Sequence, residues 1–312
     1  MERVRLPPVG EAMRRRGRRL SARSFGLGWA AGVALLAGCV DQAAPPATPV
    51  GLGECAAGPE RMPGLVLAGS GSNLPLVRAL ADLYAENHDV TMHVPESIGT
   101  SGAVNAVLDR AVDVGLASRP LTSAEEARGL VATPLAISVV VFGAAEHQGA
   151  SLSRAELAAV YHGERRVWPD GHPIVPLLRE PGDSSIKAAA EAWPEVAEAM
   201  ECARRTPGAL VFHTDQEMAD ALSSIAGAVG VIDLGIMRLD APRLTPVAVD
   251  GALPDLGDGD GVSWRARKPL YFLTFGPPTG EVARFVAWTN TPPARRFIQS
   301  SGYVLTGGGR DE

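Results

Sequence analysis

Three stretches of this chain place glycines and hydroxyl residues directly ahead of a helical pattern, and they are the places where chemistry could be done. They are Gly69-Ser70-Gly71-Ser72-Asn73-Leu74-Pro75, Gly99-Thr100-Ser101-Gly102-Ala103, and Arg179-Glu180-Pro181-Gly182-Asp183-Ser184-Ser185. Free amides at the start of a helix carry partial positive charge and bind anions. Glycine lets the backbone approach a ligand closely, and hydroxyl groups add donors without bulk. A single junction of this kind is an ordinary helix cap, since Ser and Asn are common N-caps. Three in one chain, with Arg179 beside the third, suit a multidentate oxyanion site.

Other chemistries fit less well. Gly69-x-Gly71 follows a strand pattern and precedes a helix, as in a dinucleotide fingerprint, but the third small residue is replaced by Leu74. There is no Gly-x-Ser-x-Gly elbow and no paired Cys or His at metal-ligand spacing. The six His are scattered, and His88 and His93, flanking a strand, read as surface or core filling. The formal net charge is −6, with many of the cations near the N-terminus, so no basic face for nucleic acid is visible. No catalytic residue, metal or cofactor is expected.

The elements that must position these junctions are short β-type runs alternating with helical patterns. Strands are predicted at Leu65–Ala68, Val90–Val94, Val112–Ala117, Ala136–Phe142, Ile174–Leu178, Val229–Ile232 and Leu270–Phe275. Helices are predicted at Pro75–Glu86, Ser153–Tyr161, Ser184–Met200, Asp215–Ile225 and Gly280–Trp288. In the first helix Leu76, Leu80, Leu83 and Tyr84 share one stripe, and Pro75 takes a first-turn position where its missing N–H costs nothing. Alternation of this sort predicts an α/β fold with mainly parallel sheets covered by helices.

The N-terminal region has its own logic. Arg14, Arg15, Arg16, Arg18, Arg19 and Arg23 precede an apolar run from Phe25 to Gly38 that is short of the roughly 20 residues a spanning helix needs. That is the layout of a secretory signal peptide. It ends in Leu36-Ala37-Gly38-Cys39, which resembles the lipobox of bacterial lipoproteins and implies lipidation of Cys39; an ordinary secretory signal is the alternative. Val40 rather than Asp follows Cys39, although Asp41 lies next door. Residues 39–63, rich in Pro, Ala and Gly, read as a tether. Cys55 and Cys202 remain, as a disulfide or as two thiols.

From about Leu65 to Leu305 the chain resembles the substrate-binding proteins of phosphate ABC transporters. The run GSGSNLPLVRAL (69–80) is similar to that family's opening strand–helix turn. SIGTSGAVNAVLDRAVDVGLASRPLT (97–122) resembles its second loop and helix and its Asp-Ile-Gly-x-Ala-Ser-Arg-Pro-Leu run. Residues 152–180, the stretch around Gly227–Leu234 and the run from Pro269 to Thr306 are similar to later family segments.

The resemblance implies a type II periplasmic-binding-protein-like fold: two α/β lobes with a ligand cleft between them, closing about a hinge. Lobe one would take 64–143 plus 265–312, and lobe two 144–264. It implies a monomeric, exported binding protein in the periplasm or at the cell surface, held to the membrane by lipid. Its ligand would be inorganic phosphate or a related oxyanion, its partner an ABC permease complex. Another possibility is a surface lipoprotein of the same fold that works in sensing, adhesion or assembly. By resemblance, Asn73 and the Leu74 amide, Thr100, Ser118, Arg119, Arg179, Asp183, Ser184 and Ser185 would contact the ligand. The family's Arg-Asp-x-x-Ser-Gly-Thr is altered here, because Asp183 replaces a Ser that donates to the anion. A carboxylate there would repel a fully ionised ligand. Asp183 is therefore an N-cap with its side chain turned aside, a proton acceptor for the ligand, or the sign of a site that has changed or lost its ligand.

Overall fold

The architecture comes from a computed structural model that describes residues 63–147, 149–256 and 264–306. The signal segment, Cys39 and Cys55 lie outside the described residues, while Cys202 is an exposed thiol.

The chain opens with β1 (Leu65–Gly69), α1 (Leu74–Ala85), β2 (Met92–His93), α2 (Gly99–Leu108), β3 (Val114–Ala117) and α3 (Ser123–Ala127). β1 pairs in parallel with both β2 and β3. The long strand β4 (Leu130–Ala144) then leaves this region, followed by β5 (Ser151–Leu152), α4 (Arg154–Tyr161), β6 (Val175–Pro176) and β7 (Leu178–Arg179). Next come α5 (Ser184–Ala192), α6 (Pro194–Arg204), β8 (Val211–Phe212), α7 (Asp215–Ser224), β9 (Ala228–Asp233), α8 (Leu234–Leu239) and β10 (Thr245–Val249). The return strand β11 (Arg267–Phe275) leads to α9 (Gly280–Thr289), α10 (Pro292–Ser300) and β12 (Tyr303–Val304).

Two large apolar cores result, with a smaller third cluster of Val104, Val107, Ala117, Leu130 and Leu273. Leu67, Leu76, Leu80, Leu116, Phe272 and Phe285 anchor the first, and Phe142, Leu157, Trp168, Leu222 and Val231 belong to the second. β4 serves both, with Leu135 and Ala136 in the first core and Val139 to Phe142 in the second. The molecule is thus two α/β lobes, with β4 and its antiparallel partner β11 running between them.

Two expectations need correcting. The sheets are mixed rather than mainly parallel, because β4 and β11 run antiparallel to each other, β11 to β3, and β9, β10 and β12 to β4. The helix expected over Ser184–Met200 is two helices, broken at Trp193 (φ −139°, ψ 70°). Pro194 is the cause, since proline pushes the preceding residue out of the helical region and then starts the next helix well. The helices α3, α8 and α10 and the strands β5, β8, β10 and β12 have no counterpart among the predicted elements.

Candidate ligand-binding site

The three junctions converge on one cleft of about 540 Å³ between the lobes. Lobe one contributes the turn after β1, the start of α2 and the residues after β3. Lobe two contributes the turn after β7 and the start of α7.

At the first junction Ser70 Oγ donates to Ser118 Oγ at 3.1 Å, and both residues line the cleft. Asn73 and Leu74 are buried beside the cleft rather than lining it. The Leu74 amide donates to the Gly71 carbonyl at 3.2 Å, closing the turn that starts α1. Asn73 is 0% exposed, and neither its side-chain nitrogen nor its side-chain oxygen has a hydrogen-bond partner.

At the second junction α2 begins at Gly99, whose φ of +69° is a left-handed conformation that favours glycine. No side chain caps α2, and Gly99, Thr100 and Ser101 line the cleft. The Ser118 amide donates to Thr100 Oγ1 at 3.2 Å, and the two hydroxyl oxygens stand 3.3 Å apart. Arg119 lines the cleft too, but its guanidinium is committed elsewhere. It donates to both carboxylate oxygens of Glu125 at 2.8 Å and to the Pro120 carbonyl. This fork, rather than any ligand, holds the Glu125 carboxyl down at about 2.

The third junction is arranged differently from the other two. Asp183 is the N-cap of α5, and its Oδ1 accepts from the Ser185 and Ile186 amides at 2.9 and 3.2 Å. Its side chain is not turned aside: Oδ2 accepts from Arg179 Nη2 at 2.8 Å. Arg179 itself is 3% exposed and lies under Asp183, with Nε and Nη1 unpartnered. Ser184 Oγ accepts from Ser118 Oγ at 3.0 Å, so the hydroxyls of the two lobes meet directly.

Residues outside the predicted set complete the floor. Lys268, 4% exposed at the start of β11, donates to Ser185 Oγ at 2.6 Å, Ser72 Oγ at 2.7 Å and Ser184 Oγ at 3.1 Å. Its ammonium also stands 3.1 Å from Asp233 Oδ2. Asp233 ends β9 and is fully buried, and its Oδ1 accepts from Ser185 Oγ. Asp215, the first residue of α7, lines the cleft, accepts from Ser72 Oγ at 3.3 Å and stands 3.7 Å from Arg179.

The electrostatics follow from that geometry. Burial pushes the Asp183 carboxyl up, but Lys268 and Arg179 outweigh it and hold the group below its ordinary range. Burial pushes Asp215 up, and the same two cations do not offset it against the neighbouring Asp233 and Asp183 carboxylates. Burial lowers Lys268, yet Asp233, Asp215 and Asp183 more than restore it, so it stays charged. Three carboxylates face two cations across this floor. Such a floor suits an oxyanion that still carries a proton, because a protonated oxygen donates to a carboxylate where a bare one is repelled. Among the described residues no group of three or more His, Cys, Asp or Glu is placed to hold a metal ion. Among them, too, no helix is long and apolar enough to cross a membrane.

Comparison with known proteins agrees with this architecture. Residues 44–254 match the family model described as the PBP superfamily domain. A phosphate-binding protein PstS 2 of Streptococcus pneumoniae is 35% identical over 108 residues, which is 33% of this chain and only 36% of the relative's length. The phosphate-binding protein PstS of Bacillus subtilis is 23% identical over 266 residues, covering 80% of this chain and 84% of that protein. Among solved structures, a putative phosphate ABC transporter substrate-binding protein from Clostridium perfringens, with bound phosphate, superposes with a TM-score of 0.62 at 19% identity. That superposition covers 78% of this chain and 99% of the other. The periplasmic molybdate-binding protein of Azotobacter vinelandii superposes at 0.54 with 13% identity, covering 78% of this chain and all of its own. Two lobes, two crossing strands and a cleft at the helix starts, together with a family match over most of the chain, place this protein in the PBP superfamily.

Proposed function

We propose that this chain is an extracytoplasmic solute-binding lipoprotein that captures inorganic phosphate or a similar oxyanion for an ABC importer, and is not an enzyme. The observation that carries the reading is the convergence of three hydroxyl- and glycine-rich helix starts, from both lobes, on one cleft lined by Lys268, with Arg179 buried beneath Asp183. The uncapped start of α2, with Thr100 and Ser118, is the lobe-one half of the site, and the third junction is the lobe-two half. We take lobe one as 64–143 with 265–312 and lobe two as 144–264; the separate cores around Leu67 and Leu222 support such a division, with β4 shared between them. The relatives named for phosphate binding and the neighbour with bound phosphate support the ligand class. The basic and apolar N-terminal layout ending at Cys39 supports export and a lipid anchor. A monomer that hands its ligand to a permease fits a cleft assembled from one chain.

Equilibrium dialysis of the purified chain with labelled phosphate tests the reading. Saturable binding, not competed by sulfate near neutral pH, is the expected outcome, because the carboxylate-rich floor admits a proton-bearing anion and sulfate carries none. No binding up to millimolar phosphate would remove the uptake role. That result would favour a surface lipoprotein of the same fold with a sensing, adhesion or assembly role.

A further inference from the structure

The two halves of the site differ in one respect that the proposed ligand class does not explain. In lobe one the start of α2 opens on the cleft with no charged group across its amides, and only Ser97 Oγ takes the first of them, Gly99, at 3.3 Å. In lobe two the matching position is filled by the protein itself. The Asp183 carboxylate takes the Ser185 and Ile186 amides on one oxygen and Arg179 Nη2 on the other. Two helix-start amides and a guanidinium are the donor set an external oxyanion would use.

The rest of the floor is consistent with an occupied arrangement. Protein–protein hydrogen bonds already join the lobes across it: Ser118 to Ser184, Ser72 to Asp215, and Gln216 to the Gly71 carbonyl. Lys268 reaches Ser72 on one side and Ser184 and Ser185 on the other. Arg179 keeps Nε and Nη1 unpartnered although it is 3% exposed, so two of the three nitrogens of a buried guanidinium are still unused beside the Asp183 contact.

We propose that Asp183 is a built-in stand-in for the ligand oxyanion, so that an external anion gains the Arg179 and α5 donors only by displacing the Asp183 carboxylate. This rests on the oxyanion-receptor reading. It makes Asp183 the residue that sets affinity: the receptor is tuned weak by internal competition within lobe two. It also differs from a role for Asp183 as the acceptor of the ligand's proton, since removing an acceptor weakens binding whereas removing a competitor strengthens it.

The test is phosphate titration calorimetry on the wild-type chain, Asp183→Asn, Asp183→Ser and Asp183→Asn with Arg179→Met. Asn and Ser are good N-caps, so α5 keeps its start. Both single variants are expected to bind phosphate at least about tenfold more tightly than wild type, the equivalent of one charge-assisted hydrogen bond no longer contested. The double variant is expected to lose that gain. In the wild-type protein, the Ser185 and Ile186 amide resonances are expected to shift on adding phosphate as their acceptor is exchanged. Binding by a variant but not by wild type supports the stand-in and sinks phosphate uptake by the native chain. Wild-type binding with equal or weaker binding by both single variants overturns the stand-in and leaves the receptor reading intact. Wild-type binding with unmoved Ser185 and Ile186 amides does the same. No binding by any form removes both.

Discussion

Lys268 Nζ lies 3.1 Å from the fully buried Asp233 Oδ2 and donates at the same time to hydroxyls of both lobes, Ser72 at 2.7 Å and Ser185 at 2.6 Å. One ammonium on a crossing strand thus neutralises a carboxylate at the end of β9 and ties the floor of the cleft together. A buried pair of this kind adds little net stability over an apolar pair, because desolvation cancels much of the attraction. Breaking it is another matter.

Lys268→Met keeps the length of the side chain and removes its charge. It leaves Asp233 buried without a cation, and one-sided removal of a buried partner costs about 3–5 kcal/mol. Urea unfolding is expected to show a loss of that size. A loss under about 1 kcal/mol would mean that the Lys268–Asp233 contact is not the compensated pair described here.

Asp215 and Asp183 respond to pH with opposite signs. Asp183 has its folded pKa depressed, so its contribution is complete above the unfolded value of about 3.9 and is lost as pH falls below it. Asp215 has its folded pKa raised, chiefly by burial. In the window that runs upward from about 3.9, the folded state holds the extra proton, and the stability this group lends falls as pH rises. Asp215→Asn keeps an acceptor for Ser72 and removes the charge. It is expected to raise the melting temperature at pH 7 and to lose that advantage as pH is lowered towards 4. A variant less stable than wild type at pH 7 would contradict this account of Asp215.

Much of this arrangement was legible in the sequence, and the exceptions have physical causes. The strand–helix alternation and the three junctions needed only local pattern, and the structure brings all three to one cleft. The break at Trp193 was also local, since Pro194 announces it. The mixed sheet was not, because strand direction depends on β4 and β11 crossing between lobes, which no short window records. Arg119 was singled out by its place in a motif, but Glu125, six residues on, claims its guanidinium. Lys268, Asp215 and Asp233 were missed because each sits at the end of an apolar or capped element and meets its partners only through the fold. One signal was there to be used: the chain has just two lysines, Lys187 and Lys268, and both line the cleft.

The most direct measurement of the central claim is a crystal structure of the chain grown with arsenate, located by its anomalous signal. The account predicts one arsenate in the cleft between the lobes, within hydrogen-bonding distance of Thr100 and Ser118 on one side and of the third junction on the other, with the Asp183 carboxylate swung off Arg179. Arsenate on the outer surface only, or a cleft without it at saturating concentration, would contradict the claim that this cleft is an oxyanion receptor.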